Sequence, residues 1–239
     1  MTWTPDIAMV LAAGLGRRMR PLTDTLPKPL VRLGDRALID HVLDRVAAAG
    51  VPRAVVNVHH KADALESYVG ARIVPEIIVS DERAQLLETG GGTKKALPLL
   101  GIQPFLVLNS DSVWVEGAAQ NLRRLFEAWD DTHMDCLLML ALTSSAVGYA
   151  GKGDFSHEAD GRIRRRRADA SVPFVYTGVQ IVHPRLFGDA PEGAFSFNTL
   201  WNRAMLQGRA YGMRMNGLWL HVGSPDELAA AEQALQAAS

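Results

Sequence analysis

Glycines and cationic side chains follow one another closely near the amino terminus. The segment from Leu11 to Thr23 joins a glycine turn, at Gly14 and Gly16, to three arginines, and Lys28 follows between two prolines. Glycine lets backbone N–H groups approach phosphate oxygens without interference from a Cβ atom. The flanking prolines restrict the backbone and so fix the direction of the lysine. The spacing predicts a loop that binds a triphosphate.

The element that must position this loop is the apolar run from Ile7 to Ala12, which predicts a buried strand of a parallel sheet. Ligands of open α/β sheets bind beyond the carboxyl ends of the strands, where the glycines lie. A dinucleotide-binding turn would have a third small residue where this chain has Met19. We therefore favour a triphosphate over a dinucleotide; the alternative is a surface turn with solvated arginines.

A carboxylate follows another predicted buried strand. The strand is Phe105 to Leu108, and Asp111 comes after it at the same edge of the sheet as the glycine loop. A hard oxygen ligand in that place suits Mg²⁺ bound to triphosphate oxygens. The alternative is an aspartate that caps a helix beginning near Gly117, but six residues is a long distance for a cap. Asp111 is the first candidate metal ligand.

The remaining chain alternates predicted strands and helices, as expected of βαβ units. Apolar residues recur at helical spacing at Leu38, Ile39, Val42, Leu43 and Val46, and Gly50 ends that helix. Strands are predicted at 54–58 and 73–79, and helices near 62–68 and from Thr93 onward. A last helix begins at Ser224 with a capping box completed by Glu227. The pattern predicts an α/β fold with a doubly wound, mostly parallel, Rossmann-like sheet in one domain, 1–239.

Two regions depart from the alternation. Short β-like pieces between Gly148 and Asp189 predict a small antiparallel subdomain beside the sheet, which would cover a second substrate. Cys136 lies in an apolar run that predicts a buried strand, so we expect a packed thiol and no nucleophile. Phe195, Phe197 and Trp201 are expected in the core.

Composition excludes several functional classes. The 239 residues carry a net charge of −1 and are 48% hydrophobic, which is enough for a full core and gives no overall basic field for nucleic acid. No apolar run reaches the roughly 18 residues of a membrane span. The first residues lack the basic region and cleavage site of a signal peptide. We expect a cytoplasmic protein with no nucleic-acid or membrane partner, as a monomer or a small homo-oligomer.

The chain resembles a known family over nearly its whole length. Residues 11–30 read Leu-Ala-Ala-Gly-x-Gly, then arginines, Pro-Leu-Thr and Pro-Lys-Pro-Leu, which is similar to the motif of the sugar-1-phosphate nucleotidyltransferases. Segments at 87–92, 109–111, 151–155 and 176–178 most resemble the short, single-domain members that uridylylate N-acetylmuramate 1-phosphate in cell-wall recycling. The resemblance implies two substrates, a nucleoside triphosphate and a sugar 1-phosphate, with Mg²⁺ as cofactor.

The resemblance also implies roles for particular residues. Catalysis is assigned to Arg18, Lys28 and Asp111. Nucleotide binding is assigned to Leu11, Ala12, Ala13, Gly14, Gly16, Arg17, Glu82, Thr89 and Gly90. Sugar binding is assigned to Asn109, Gly153, Asp154, Tyr176, Thr177, Gly178 and Asn198. The glycines at 90–92 would meet the base through their backbone, and the alternative is a flexible loop before a helix.

One position departs from the family pattern. Relatives usually read Trp-x-Asp-x-Gly-Thr where this chain has Trp219 to Ser224, so His221 replaces a metal-binding aspartate. Asp111 and His221 are the expected metal ligands. Because imidazole is a softer donor than carboxylate, either His221 binds the metal more weakly, or Asp111 and the phosphates hold it largely alone, or Mn²⁺ serves better than Mg²⁺. A purely structural His221 is the other interpretation.

A basic run at 162–167 is the densest charge cluster, and no aromatic residues for base stacking interrupt it. The lysine that holds the sugar phosphate in many relatives is absent here, so one arginine of 164–167 is expected to take its place. Strand alternation turns Arg165 and Arg167 to one face and Arg164 and Arg166 to the other. The sequence does not choose between the faces.

These observations predict transfer of a nucleotidyl group to a sugar 1-phosphate with release of pyrophosphate. UTP and N-acetylmuramate 1-phosphate are the first candidate substrates. The alternatives are mannose- or heptose-1-phosphate guanylyltransferase, glucose-1-phosphate thymidylyltransferase, and a molybdenum-cofactor nucleotidyltransferase of the same fold. A non-catalytic, nucleotide-sugar-binding regulatory subunit is the alternative from another class, and His221 is the feature that favours it.

Overall fold

The computed structural model describes residues 3–238; residues 1, 2 and 239 of the predicted domain lie outside this range. The strands in the range are Ile7–Leu11 (β1), Arg32–Leu33 (β2), Arg36–Ala37 (β3), Arg53–Val58 (β4), Glu76–Asp81 (β5), Phe105–Asn109 (β6), Val113–Glu116 (β7), Cys136–Leu142 (β8), Phe155–His157 (β9), Ile163–Arg165 (β10), Phe174–Val182 (β11), Ala210–Arg214 (β12) and Gly217–Leu220 (β13). The α-helices are Leu38–Ala48 (α1), Ala62–Gly70 (α2), Glu88–Leu100 (α3), Asn121–Ala128 (α4), Phe197–Leu206 (α5) and Pro225–Ala238 (α6). Short 3₁₀ turns lie at 17–19, 22–24, 28–30 and 184–187.

A mixed, mostly parallel sheet forms the centre of the molecule. β5, β4, β1 and β6 run parallel in that spatial order, joined through α1, α2 and α3. β11 continues the sheet antiparallel to β6, β8 pairs with the other side of β11, and β12 runs parallel to β8. The predicted doubly wound α/β fold is confirmed.

A hairpin extends the sheet beyond the end of β6. β11 continues past Asn109, and there Phe174 pairs with Phe155 of β9, which pairs in turn with β10. The hairpin lies within the range 148–189 for which the sequence predicts an antiparallel subdomain. β11 falls in the same range but belongs to the central sheet as well. A separate two-stranded sheet pairs β13 with β7.

The two faces of the sheet carry different helices. Alternate residues of β1 point to opposite faces: Ala8 and Val10 pack with α1, α2 and α4, whereas Ile7 and Met9 pack with α3 and α5. The apolar positions predicted for α1 are all buried. Cys136, Phe195, Phe197 and Trp201 are buried as well, so these predictions are confirmed. No helix within residues 3–238 combines the length and apolar character needed to cross a membrane.

Two element boundaries differ from the prediction. β5 begins at Glu76, because Ile73 and Val74 lie exposed before the pairing with β4 starts. α3 begins at Glu88, five residues before the predicted start at Thr93. The segment around Phe195 packs closely against the first turn of this helix, which is why glycines occupy it. The backbone amides of Gly90 and Gly91 both donate to the carbonyl of Phe195, at 2.8 and 3.0 Å. The glycine run is therefore a packing surface of a helix.

We expect Gly90→Ala to destabilise the protein by about 1–3 kcal/mol, because an added Cβ would overlap the ring and the carbonyl of Phe195. Denaturant unfolding measures the change. Gly70→Ala is the matched control, because it also lies in a helix and a Cβ there meets nothing within 4 Å. Equal stability of the two variants would contradict the packing role of Gly90.

Candidate active site

A cavity of about 650 Å³ lies at the carboxyl edge of β1 and β6. The loop from Ala12 to Leu30, for which the sequence predicts triphosphate binding (the phosphate loop), forms one wall. The start of α3 forms another, and the end of β6 closes the floor. Its lining comprises Leu11, Ala12, Ala13, Gly14, Leu15, Gly16, Arg17, Arg18, Lys28, Pro29, Asn57, Leu86, Glu88, Thr89, Asn109, Ser110, Asp111, Ser196 and Gly223. Its volume is in the range of small-molecule sites.

The phosphate loop turns at Gly16, which has a φ of 61°. A Cβ there would lie 3.0 Å from Thr23 and 3.1 Å from the Cβ of Lys28. The positive φ and the lack of space for a side chain both favour glycine at this position. Thr23 donates from its hydroxyl to the carbonyl of Gly16 at 2.9 Å and fixes the turn. By contrast, Gly14 has open space at its Cβ position. A ligand can approach the backbone there closely.

A buried hydrogen-bond chain ties this loop to the start of α3. The amide of Ala12 donates to Oδ1 of Asn57 at 2.6 Å, and Nδ2 of Asn57 donates to Oε1 of Glu82 at 2.7 Å. The amide of Leu87 donates to the other oxygen of Glu82 at 3.3 Å. Gly92 leaves space for these hydrogen-bonded side chains, since a Cβ there would lie 2.5 Å from Oε1 of Glu82. Burial raises the pKa of the Glu82 carboxyl, while the hydrogen bonds from Asn57 and Leu87 oppose the rise.

Lys28 and Asp111 form an ion pair across the cavity floor. The two residues are 83 positions apart and come from the phosphate loop and from the end of β6. Their side chains retain 16% and 28% of their exposure, so both charges remain accessible from the cavity. The pair places a fixed cation and a hard oxygen donor side by side.

His221 follows β13, and its Nε2 lies 3.6 Å from Oε2 of Glu227. Desolvation lowers the pKa of its imidazole, and the nearby charges of Glu227 and Asp111 oppose that change. Its ring packs against Trp219 and Tyr149, at centroid distances of 5.3 and 5.9 Å. The charge of Asp111 acts on this imidazole, and Glu227 is the carboxylate that lies in contact with it. The predicted N-cap of α6 is present, because the amide of Glu227 donates to Oγ of Ser224 at 3.3 Å. The second bond of the predicted capping box differs: the carboxylate of Glu227 accepts from the amide of Gly223 instead of that of Ser224.

The guanidinium of Arg18 packs against Gly223. A Cβ on Gly223 would lie 2.7 Å from Nη2 of Arg18 and 2.8 Å from Oε2 of Glu227. Glu227 accepts a hydrogen bond of 2.7 Å from the amide of Gly223. The loop before α6 thus holds the guanidinium of Arg18 against the cavity.

Several of the predicted sugar residues lie at a shift in the pairing register of β11 with β8, between Tyr176 and Gln180. Asn109 lines the cavity and packs on Gly178, whose φ is 85°. Asp154 accepts a hydrogen bond of 3.0 Å from the amide of Tyr176. Thr177 is buried and donates to the carbonyl of Met139 at 2.9 Å, so its hydroxyl points away from the cavity. The ring of Tyr176 packs on Trp201 at 4.8 Å.

The other two predicted sugar residues are held by the arginines of the hairpin. Gly153 has a φ of 77° and accepts a hydrogen bond of 2.9 Å from Arg166. Asn198, in the first turn of α5, accepts one of 2.9 Å from Arg165. Of the predicted sugar residues, Asn109 lines the cavity, whereas six others do not: Gly153, Asp154, Tyr176, Thr177, Gly178 and Asn198.

Most of the predicted nucleotide residues line the cavity: Leu11, Ala12, Ala13, Gly14, Gly16, Arg17 and Thr89. Glu82 and Gly90 are placed elsewhere. Glu82 lies behind the wall in the hydrogen-bond chain, and the amide of Gly90 is occupied by Phe195. Both support the wall instead of forming its surface.

Sequence reasoning missed several lining residues, notably Asn57, Glu88 and Ser196. Asn57 could have been found because it is a polar residue inside an apolar strand. A polar side chain in a buried strand needs a hydrogen-bond partner. Glu88 has a φ of 59°, an uncommon conformation for a residue with a side chain, and nothing local in the sequence indicates it. Ser196 caps α5, where its hydroxyl accepts a hydrogen bond of 3.2 Å from the amide of Asn198.

The fold is that of a mixed α/β protein with a cavity at the carboxyl ends of its strands, and comparisons with known proteins identify its family. Residues 8–146 match the MobA-like NTP transferase domain. The chain is 49% identical to N-acetylmuramate alpha-1-phosphate uridylyltransferase of Caulobacter vibrioides, over 98% of this chain and 99% of that protein. It is 36% identical to the Neisseria meningitidis protein of the same name, over 94% and 96%. The structure of a UDP-glucose pyrophosphorylase bound to UDP-glucose has a TM-score of 0.80 at 16% identity, over 99% of this chain and all of that one.

The chain therefore belongs to the MobA-like NTP transferase family, and within it to the sugar-1-phosphate nucleotidyltransferases. The resemblance predicted from residues 11–30 is confirmed.

Glu82→Gln is expected to change the pH dependence of stability. The pKa of the Glu82 carboxyl is higher in the folded than in the unfolded protein. Such a group lowers the free energy of unfolding as the pH rises from the unfolded-state pKa through the folded-state pKa. Glutamine does not ionise, so the variant should gain stability relative to the unchanged protein as the pH rises above about 4. Denaturant unfolding at about pH 5 and about pH 8 measures this. Glu76→Gln, at an exposed position, should show no such trend, and parallel pH profiles for Glu82→Gln would contradict the assignment.

Gly223→Ala is expected to lower turnover at least about 10-fold while leaving the fold intact. The added methyl group meets the flexible ends of Arg18 and Glu227, so the side chains move and the backbone does not. A displacement of about 1 Å in a positioning group is enough for a loss of this size. Steady-state kinetics measure the loss of turnover, and thermal melting shows whether the fold is intact. Unchanged turnover would show that Arg18 acts from another position.

Proposed function

We propose that this enzyme transfers UMP from UTP to N-acetylmuramate 1-phosphate and releases pyrophosphate. The observation that carries the proposal is the Lys28–Asp111 pair beside a loop of glycines and arginines. This arrangement offers cations and a metal-binding carboxylate at one point, as attack on an α-phosphate requires. Both relatives described above are named as uridylyltransferases of this sugar, and 49% identity over the whole chain supports the same choice of substrates.

The triphosphate lies along the phosphate loop in this mechanism. Backbone amides at Gly14 and Gly16 and the guanidinium of Arg18 bind the β- and γ-phosphates, which leave as pyrophosphate. Lys28 exchanges Asp111 for an oxygen of the α-phosphate or of the attacking phosphate. Arg17 lines the same wall and adds positive charge where the leaving group develops negative charge. The base and ribose lie toward Leu86, Glu88 and Thr89.

Asp111 and His221 are the residues that would hold Mg²⁺, with Mn²⁺ as the alternative that imidazole suits better. Within residues 3–238 no group of three or more histidines, cysteines or carboxylates could hold a metal ion by itself. The donors fit an ion that completes its shell with triphosphate oxygens and water, which is the usual habit of Mg²⁺. When bound, the ion neutralises charge on the α-phosphate and the leaving group.

The acceptor needs no general base. The second pKa of a phosphate monoester is about 6, so the sugar phosphate is largely dianionic at neutral pH and its oxygen is a competent nucleophile. The protein therefore acts by alignment and by electrostatic stabilisation. We place the reaction in the cytoplasm, because nucleoside triphosphates are made there.

Arg18→Ala and Asp111→Asn are each expected to reduce turnover by about 10²–10³-fold, because each removes charge that stabilises the transition state. Pyrophosphate release from UTP and N-acetylmuramate 1-phosphate is the measurement. Arg20→Ala and Asp24→Asn are matched controls, because these two exposed residues pair with each other at 3.3 Å outside the cavity. Normal turnover in either site variant would remove the role of that residue.

A panel of UTP, dTTP and GTP with the 1-phosphates of N-acetylmuramate, N-acetylglucosamine, glucose and mannose tests the substrates. Release confined to UTP with N-acetylmuramate 1-phosphate is expected. A preference for GTP with mannose 1-phosphate would instead identify a guanylyltransferase. Binding of nucleotide sugar without release from any pair, with either metal, would identify a regulatory subunit.

A further inference from the structure

A second cavity, of about 450 Å³, lies between α4, the end of β8 and the turn that joins β12 to β13. It shares no lining residue with the catalytic cavity. Within residues 3–238, no aspartate or glutamate lines it. The polar and aromatic side chains of its lining are those of Arg124, Ser145, Arg214, Asn216 and Trp219. The charge of this lining is therefore entirely positive.

The two arginines are neighbours in this cavity. Nη1 of Arg124 donates to the backbone carbonyl of Arg214 and to Oδ1 of Asn121, both at 3.2 Å. These acceptors are neutral, and in the part of the chain that the structure describes neither arginine makes an ion pair. The side chain of Arg214 makes no hydrogen bond there either. Two cations without an anion between them repel each other, and an oxyanion that binds both replaces the repulsion by attraction.

The third donor of the cavity, Asn216, is held in one orientation. Its backbone amide donates to Oδ1 of the fully buried Asn121 at 2.7 Å, and its carbonyl accepts from Nδ2 of Asn121 at 2.6 Å. Oδ1 of Asn216 accepts from the amide of Ala118 at 3.2 Å, a place that only the oxygen of the side-chain amide can take. Nδ2 of Asn216 makes no hydrogen bond within residues 3–238 and remains a donor for a ligand.

Two glycines allow the chain segments around Asn216 to meet. A Cβ on Gly217, which has a φ of 112°, would lie 2.1 Å from the carbonyl of Val115. A Cβ on Gly117 would lie 1.6 Å from Oδ1 of Asn216, and the amide of Gly117 donates to the carbonyl of Asn216 at 3.2 Å. The turn is therefore rigid without a ligand, and little conformational freedom is lost when one binds.

The chemistry of the lining indicates the class of ligand. The guanidinium groups and Nδ2 of Asn216 can only donate, and the hydroxyl of Ser145 donates to the carbonyl of Leu142 over a long 3.4 Å. A phosphate group presents several oxygens that accept from such donors at once, and arginine binds two of them with its planar fork. A cation finds no carboxylate among these lining residues. The volume is within the range of small-molecule sites.

We propose that this cavity binds a phosphate-type oxyanion at a site separate from the catalytic cavity. Inorganic pyrophosphate and the phosphate monoester of a small metabolite share the required chemistry. The proposal does not depend on the proposed function. Trp219 adjoins both sites, because it lines this cavity and its ring centroid lies 5.3 Å from that of His221. A ligand in the cavity therefore lies against the residue that packs on His221.

The test is a titration of the isotope-labelled protein by nuclear magnetic resonance, with pyrophosphate or ribose 5-phosphate, at constant ionic strength. The amide signals of Asn216 and Gly217 report this cavity directly and should shift to saturation. Arg214→Gln should raise the Kd from these signals at least about 10-fold, because it removes a charged donor. Arg123→Gln is the matched control, since this exposed arginine of α4 does not line the cavity. Arg18→Ala, which changes the catalytic cavity, should leave the titration of Asn216 and Gly217 unchanged.

The controls separate binding from folding and from screening by salt. Arg214→Gln should melt as the unchanged protein does, and Arg214→Lys, which keeps the charge but loses the fork, should restore part of the binding. Tighter binding of pyrophosphate would assign the site to an inorganic anion, and tighter binding of ribose 5-phosphate would assign it to a phosphorylated metabolite. The absence of saturable shifts with both probes, equal shifts with chloride, or an unchanged Kd in Arg214→Gln would overturn the proposal. The titration needs no turnover, so failure of the proposed function leaves its outcome readable.

Discussion

The buried hydrogen-bond chain from Ala12 through Asn57 to Glu82 is the constraint on which the site depends. It joins the ends of β1, β4 and β5 at the point where the sheet would otherwise expose unpaired polar groups. A buried polar group without a partner costs more than its hydrogen bond contributes, so these residues hold one another in a single arrangement. The phosphate loop and the start of α3 consequently keep a fixed separation, which sets the width of the cavity.

The buried hydrogen-bond chain also fixes where the charged groups of the cavity lie. Cations come from the phosphate loop, and the carboxylate comes from the end of β6, so the Lys28–Asp111 pair forms where two independent segments meet. Gly223 then lets the loop before α6 approach Arg18. The enzyme needs no activated nucleophile, because its substrates bring both the nucleophile and the leaving group. Preorganised charge is what the protein adds.

The sequence alone predicted the sheet and the meeting of the glycine loop with Asp111 at one of its edges. These depend on local patterns, namely apolar strands followed directly by glycine, cations or carboxylate. It placed the start of α3 too late, because a run of glycines reads alike for a loop and for a helix packed closely on Phe195. The supporting role of Glu82 depends on Asn57, which is 25 positions away. Likewise, Gly223 meets Arg18 only through the packing of α6. Such contacts between distant segments leave no local pattern to find.

The most direct measurement follows the phosphorus atoms of UTP by nuclear magnetic resonance while the purified protein acts on N-acetylmuramate 1-phosphate. Attack on the α-phosphate predicts pyrophosphate and a sugar-linked diphosphate in equal amounts, with the α-phosphorus of UTP bonded through oxygen to the sugar phosphate. Formation of UDP and inorganic phosphate would show attack at the γ-phosphate and contradict nucleotidyl transfer. Unchanged UTP in the presence of either Mg²⁺ or Mn²⁺ would contradict it as well.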